Sequence, residues 1–170
     1  TYQKDLDTAR RKLEAFAVIG ERHGIRAFLQ THGGSLHPSA SAARRVVDGF
    51  DPQYVGVHHD PGNMICQEGY ETWDKGVDIL GEYLCMVGVK NAGVFQRPAG
   101  DTFEMRWGRE WTTLAEGVVD YSAVLTALSA AGFDGPLCMH NFYDRGLEAL
   151  KTQTRRDLDH LRSLLSQSAT

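Results

Sequence analysis

Four short apolar runs, each ending in polar or ionisable residues, constrain this 170-residue chain more than any other feature. They read Ile25-Arg26-Ala27-Phe28-Leu29-Gln30-Thr31-His32, Tyr54-Val55-Gly56-Val57-His58-His59-Asp60, Leu84-Cys85-Met86-Val87-Gly88-Val89-Lys90-Asn91 and Leu137-Cys138-Met139-His140-Asn141. A continuous apolar run of this length between turn residues predicts a strand buried on both faces, as in a parallel sheet covered by helices. The strand ends recur about every thirty residues, the spacing of a barrel of ~250 residues divided into eight βα units. Polar groups gathered at the same end of several such strands are how a βα protein builds a site.

The segments between the runs read as helices. From about Asp5 to His23, Leu6, Ala9, Leu13, Phe16, Ala17 and Gly20 fall at helical spacing, with Gly24 as the stop. Ser39 or Ser41 caps a second helix ending near Asp48, and a third runs from about Thr72 to Tyr83 with Trp73, Val77 and Leu80 inward. Asp120 or Ser122 starts a fourth, closed by Gly132. A final helix from Leu147 to Leu165 places Leu150, Leu158, Leu161 and Leu165 on one stripe, and Ser166 to Thr170 reads as a frayed tail. Asn91 to Gly117 has no convincing period and is broken by Gly93, Pro98, Gly100 and Gly108, so it reads as a long loop that is a functional lid, a binding loop or disordered. Only four strands are counted, which fits either half of a barrel or an open sheet of four parallel strands. The length predicts one domain over residues 1–170.

Composition excludes several function classes. Eighteen Lys and Arg against 22 Asp and Glu, a net charge of −4, leave no concentrated basic face for phosphate, so nucleic acid is not the expected partner. Three cysteines, Cys66, Cys85 and Cys138, cannot pair completely and show no CxxC spacing, which argues for reduced thiols and a cytoplasmic location. No apolar stretch approaches the ~20 residues that span a bilayer, so no membrane association is expected. No Walker motif, GxGxxG, GxSxG or HExxH is present, and no nucleotide cofactor is expected.

The strand ends carry a family resemblance. His23-Gly24-Ile25 leading to Leu29-Gln30-Thr31-His32, Val55-Gly56-Val57 leading to Asp60-Pro61-Gly62-Asn63, Val87-Gly88-Val89-Lys90-Asn91, Gly117-Val118-Val119-Asp120-Tyr121 and Ala131-Gly132-Phe133-Asp134-Gly135-Pro136 occur in one order. That series resembles the sugar phosphate isomerase/epimerase family of xylose isomerase-like TIM barrels, which also holds inosose dehydratases and endonuclease IV-type enzymes. The match covers the family's fifth to eighth strands, so the resemblance implies an α/β fold of the parallel TIM-barrel type, a partial barrel of the last four βα units. Half a barrel leaves two sheet edges open, so the expectation is a missing N-terminal half or completion by a homo-oligomer.

The resemblance also implies a divalent metal (Mn, Zn, Mg or Fe) at the C-terminal face of the barrel, held in the family by a Glu, an Asp, a His and a second Glu. Here the first Glu falls on Gln30, the Asp on Asp60, a frequent His on Asn63, the strand-seven His on Gly88 and the last Glu on His140. Only Asp60 is retained. Side-chain alternation independently groups Gln30, His58, Asp60, Lys90 and His140 on one face, with His32 just beyond the first strand. Asp60, His140 and Gln30 are thus the expected metal ligands, or else hydrogen-bonded pocket residues without metal. His140 and His58 (with His59 as the other candidate) are the expected proton carriers, since imidazole titrates near neutrality. Lys90 is the expected contact to a substrate oxyanion. Gln30, His32, Asn63 and Trp107 are the expected substrate contacts, Trp107 or Trp111 covering a sugar ring.

The expected activity is isomerisation, epimerisation or a related lyase step on a small polyhydroxylated carbohydrate, by proton transfer next to a carbonyl. Two alternatives stand beside it. One is a non-catalytic relative that binds sugars or assembles with another subunit; the other is endonuclease IV-like cleavage of DNA, which the charge balance disfavours.

Overall fold

The computed structural model describes residues 1–66, 71–98, 105–141 and 145–168. The order is α1 (Tyr2–His23), β1 (Ala27–Gln30), α2 (Ala40–Val47), β2 (Val55–His59), α3 (Pro61–Cys66), α4 (Trp73–Leu80), β3 (Leu84–Val89), β4 (Asn91–Pro98), β5 (Met105–Thr112), α5 (Tyr121–Ala130), β6 (Leu137–Met139) and α6 (Leu147–Ser168). The four apolar runs supply β1, β2, β3 and β6, which form one parallel sheet in that order. This is the partial TIM-barrel arrangement, with a helix leading into each of β2, β3 and β6.

Local chemistry sets the helix ends. Gly24 stops α1 in the left-handed region at φ 62°, and its N–H bonds Gly20 O. Of the two candidate caps for α2, Ser39 is the one used, accepting from Ala42 N–H at 3.3 Å; for α5 it is Asp120, accepting from Ala123 N–H at 3.1 Å. The core lies between the sheet and the helices, where Val55, Val57, Val87 and Val89 pack with Ala43, Val47, Leu80, Val124, Leu128 and Leu161. The alternate residues of the same strands face the other way and carry the polar groups.

Several expectations are corrected. The stretch from Asn91 onward is not an irregular loop but the antiparallel hairpin β4–β5, registered from Asn91 opposite Thr112 to Pro98 opposite Met105. Its exposed residues include Val94, Phe95 and Trp107, so apolar groups face water and no alternation marks it as strand. Asn91 anchors its base. The side-chain amide donates to Leu114 O at 2.9 Å and Val119 O at 3.0 Å, while its Oδ1 accepts from Val119 N–H at 2.9 Å. The third helix ends at Leu80, with a 3₁₀ turn at Gly81–Tyr83. Helix α6 runs on through Ser166 to Ser168 instead of fraying; Ala169 and Thr170 lie outside the described residues. Leu165 is 39% exposed and leaves the expected stripe, whose buried face instead includes Gln153 and Asp157. Those two are satisfied by each other at 2.9 Å and by Leu114 N–H on Asp157 at 3.1 Å. The strands are not all buried on both faces: Phe28 on edge strand β1 is 46% exposed and β6 is half-buried throughout. Cys85 and Cys138 are free thiols, both half-buried. Among the described residues no helix is long and apolar enough to cross a membrane.

His59 is the one titratable side chain among the fully buried groups on the helix side of β2. Burial pushes its imidazole down to about 4, against the opposing pull of Asp60 and Glu71. The folded chain therefore favours the neutral ring, a contribution fully present above the unfolded value near 6.5 and lost as pH falls toward 4. At ~1.36 kcal/mol per unit this amounts to roughly 3 kcal/mol. Thermal or urea melts from pH 7 to pH 4 should show stability falling through this window, and His59→Leu should make the fall shallower while leaving the share of His58; an equal slope in both proteins would contradict the assignment.

Candidate functional site

Asp60 organises the rim of the sheet because it stands between β2 and α3. As the residue before Pro61 it caps α3, its Oδ1 accepting from Asn63 N–H at 2.9 Å. Thr31, just past the end of β1, holds its backbone: Asp60 N–H donates to Thr31 Oγ1 at 2.8 Å, and the Asn63 amide donates to Thr31 O at 2.9 Å. With Oδ1 engaged, Oδ2 turns toward the neighbouring strand ends. It receives Gln30 Nε2 from β1 at 2.6 Å and Lys90 Nζ from the end of β3 at 3.0 Å. His140 Nδ1, just after β6, lies 3.5 Å from the same oxygen and 3.5 Å from Gln30 Nε2. All four strands of the parallel sheet thus contribute to one carboxylate.

Burial alone would raise the Asp60 carboxyl, but the His140 hydrogen bond, the Lys90 charge and the Asn63 N–H together hold it below the usual carboxylate range. Its side chain is fully buried and that of Lys90 is 6% exposed. A desolvated ion pair of this kind is costly to break: removing one partner leaves an uncompensated buried charge, at about 3–5 kcal/mol.

His58 completes the cluster. Its ring stands edge-on to His140 with centroids 5.1 Å apart and edge-on to Phe28 at 5.8 Å. Burial pushes it down to about 4 despite the opposing charge of Asp60, so it is neutral at pH 7. Among the described residues His58 Nε2 is buried without a hydrogen-bond partner, a costly state. Gly88 makes the room: a Cβ there would lie 2.8 Å from Asp60 Oδ2 and 2.9 Å from His58 Nε2. A side chain at residue 88 would therefore crowd the groups around it.

The remaining expected residues divide. His59 lies on the helix side of the sheet, away from the rim cluster. Asn63 supports Asp60 and the Thr31 carbonyl. His32 is in the exposed loop after β1, its Nδ1 2.8 Å from Gly33 O. Trp107 is 65% exposed and pairs with Gln96 out along the hairpin. Trp111, nearer the hairpin base, is the tryptophan at the cluster, with Lys90 Nζ 4.6 Å from its ring centroid. Two supports escaped sequence reasoning. Thr31 is one; Tyr121 is the other, its hydroxyl accepting from Lys90 N–H at 2.9 Å and lying 2.8 Å from Lys90 O. The only signal for Tyr121 was its place in the Val118-Val119-Asp120-Tyr121 piece.

His58, Asp60 and His140 each offer one ligand atom, and these lie within 4.8 Å of one another, a group that could hold a metal ion. Two imidazoles and a carboxylate suit zinc, manganese or iron by donor type. The charge does not suit them. The group has one anionic donor, and that oxygen is already neutralised by the Lys90 ammonium at 3.0 Å and bonded by the Gln30 amide. As they stand, these residues do not fit a resident divalent ion.

The model of xylose isomerase-like TIM barrels matches residues 1–164. No curated protein sequence matches the chain. Among solved structures, a xylose isomerase domain protein from Planctomyces limnophilus superposes with a TM-score of 0.69 at 22% identity, covering 94% of this chain and 52% of that one. A xylose isomerase-like TIM barrel protein from Mycobacterium smegmatis in complex with magnesium gives 0.69 at 19%, covering 93% and 52%. The 3-keto-D-glucoside 4-epimerase YcjR from E. coli gives 0.70 at 15%, covering 96% and 55%. The chain thus spans about half the length of the structures it matches. At these identities the likeness establishes the fold, and with the match over residues 1–164 it follows that the chain belongs to the xylose isomerase-like TIM barrel family.

Proposed function

We propose that this chain carries the proton-transfer rim of a sugar isomerase or epimerase acting on a small polyhydroxylated carbohydrate. The observation that carries the reading is the convergence of Gln30, His58, Asp60, Lys90 and His140 around one carboxylate oxygen and one unpartnered imidazole nitrogen. Sugar epimerases stand among the structural relatives, which include the E. coli 3-keto-D-glucoside 4-epimerase and a D-tagatose 3-epimerase-like protein.

His140 is assigned the proton. With a proton on Nδ1 toward Asp60, the carboxylate orients the ring and Nε2 is its basic nitrogen. The base removes the hydrogen on the carbon next to the substrate carbonyl. The C–H electron pair becomes a C–C double bond, and the carbonyl pair moves onto oxygen, giving an enediolate. Lys90 supplies the ammonium for that oxygen, and Gln30 orients Asp60 without itself titrating. Return of the proton to the former carbonyl carbon, with the enediolate hydroxyl proton passing to the oxyanion so that the second oxygen becomes the new carbonyl, completes an isomerisation. Delivery of a solvent proton to the opposite face of the first carbon completes an epimerisation.

One observation favours a second reading, a sugar-binding relative without turnover: Asp60 is the only carboxylate of the described cluster, and it is held by its neighbours. The two are separated by incubating the chain in D₂O with a panel of ketoses and inososes and following C–H to C–D exchange by NMR. The catalytic reading predicts exchange next to the carbonyl, reduced by about a hundredfold or more in His140→Ala and in Asp60→Ala. A sugar that raises the melting temperature with no exchange supports the binding reading, and exchange unchanged in both variants removes this site from the chemistry. Gly88→Ala places a methyl against Asp60 Oδ2 and His58 Nε2. It should cost about 1–3 kcal/mol in melts and abolish exchange; wild-type behaviour would contradict the close packing.

A further inference from the structure

A cation is already part of this cluster. Lys90 Nζ sits 3.0 Å from Asp60 Oδ2 with both side chains buried. It is fixed in place from two sides. Its backbone N–H donates to the Tyr121 hydroxyl at 2.9 Å, and the Trp111 ring lies beside the ammonium with 4.6 Å from Nζ to the centroid. The carboxylate oxygen it neutralises is the one that His140 Nδ1 approaches, and it belongs to the single anionic donor of the His58, Asp60 and His140 group.

We infer that Lys90 is the built-in cation of this site, standing where a divalent ion would bind and keeping such an ion out of the His58, Asp60 and His140 group. An ion ligated by Asp60 Oδ2 would lie about 2 Å from that oxygen, and the ammonium lies 3.0 Å from it. The two cations would then share one negative charge in a desolvated setting where water screens them little. Among the described residues the Asp60 carboxylate and the Lys90 ammonium cancel, and adding a divalent ion leaves two uncompensated positive charges. One fixed ammonium thus balances the one carboxylate of the group among the described residues. The functional consequence is a site whose positive charge is supplied by the chain itself. The inference goes beyond the proton-transfer reading and does not require it.

The test is direct metal binding. The wild-type chain, freed of metal with EDTA, is titrated with ZnCl₂, MnCl₂ and MgCl₂ by calorimetry, with thermal melts as a second readout. Wild type is expected to bind none of the three at one ion per chain. Lys90→Met is expected to gain one zinc per chain, about a hundredfold tighter than wild type or better, and His58→Ala in the same background is expected to lose it. Stoichiometric zinc binding by wild type that is lost in Asp60→Asn overturns the inference, as does a folded Lys90→Met that binds zinc no tighter than wild type. Should Lys90→Met fail to melt cooperatively, Lys90→Gln takes its place, and the wild-type titration decides in either event. Sugar exchange is a separate measurement on the metal-free chain: its absence leaves the metal result standing, and zinc binding by wild type, which would occupy His140, leaves exchange by the metal-free chain to decide the assignment of His140.

Discussion

The Asp60 carboxylate holds the rim of this protein together. One oxygen caps α3 through Asn63, and the other accepts from Gln30 at 2.6 Å and Lys90 at 3.0 Å. Because its partners come from the ends of β1, β3 and β6, the ion pair fixes the relative positions of four strand ends that backbone pairing alone leaves free to differ in length. The register shift between Val57 and His58, where β2 meets β3, lies one turn of the pleat below this point. The side chains of the site are thus cross-braced at the rim, while the valines behind them pack against the helices. Fold and site share their strands but not their faces.

Support for this ion pair comes from elements that never reach the carboxylate. Asn91 ties the base of the β4–β5 hairpin to the segment before α5, and Tyr121 at the start of α5 holds the Lys90 backbone. Trp111 reaches the ammonium from the hairpin. Lys90 therefore reports on three elements at once, and a disturbance of the hairpin base is transmitted to the charge in the site. Hydrogen-bonded networks of this sort are stiff, and within this one His58 Nε2 and Asn63 Oδ1 have no partner among the described residues.

Much of this was legible in the sequence, for identifiable reasons. Parallel strands under helices are long apolar runs, so β1, β2, β3 and β6 announced themselves, and period-two alternation placed Gln30, His58, Asp60, Lys90 and His140 on one face before any coordinate. The hairpin was illegible because its exposed residues include apolar and charged groups alike, leaving no alternation. Helix α3 spans only six residues, too few for a helical period, although Asp60-Pro61 is a capping signature. Trp107 and Trp111 lie four residues apart, and only the pairing register decides which one reaches the site. Thr31 and Tyr121 act through backbone groups, which composition and spacing do not mark. The meaning of Gly88 was hidden for a related reason: a glycine at a ligand position reads as a loss, and only the structure shows that a side chain there would crowd Asp60 and His58.

The most direct test of the account is a high-resolution crystal structure of the chain equilibrated with zinc chloride, with anomalous scattering used to locate the metal. The account predicts Lys90 Nζ within hydrogen-bonding distance of Asp60 Oδ2, and no zinc peak among His58, Asp60 and His140. A zinc peak bridging those three side chains, with the Lys90 ammonium displaced from Asp60, would contradict it.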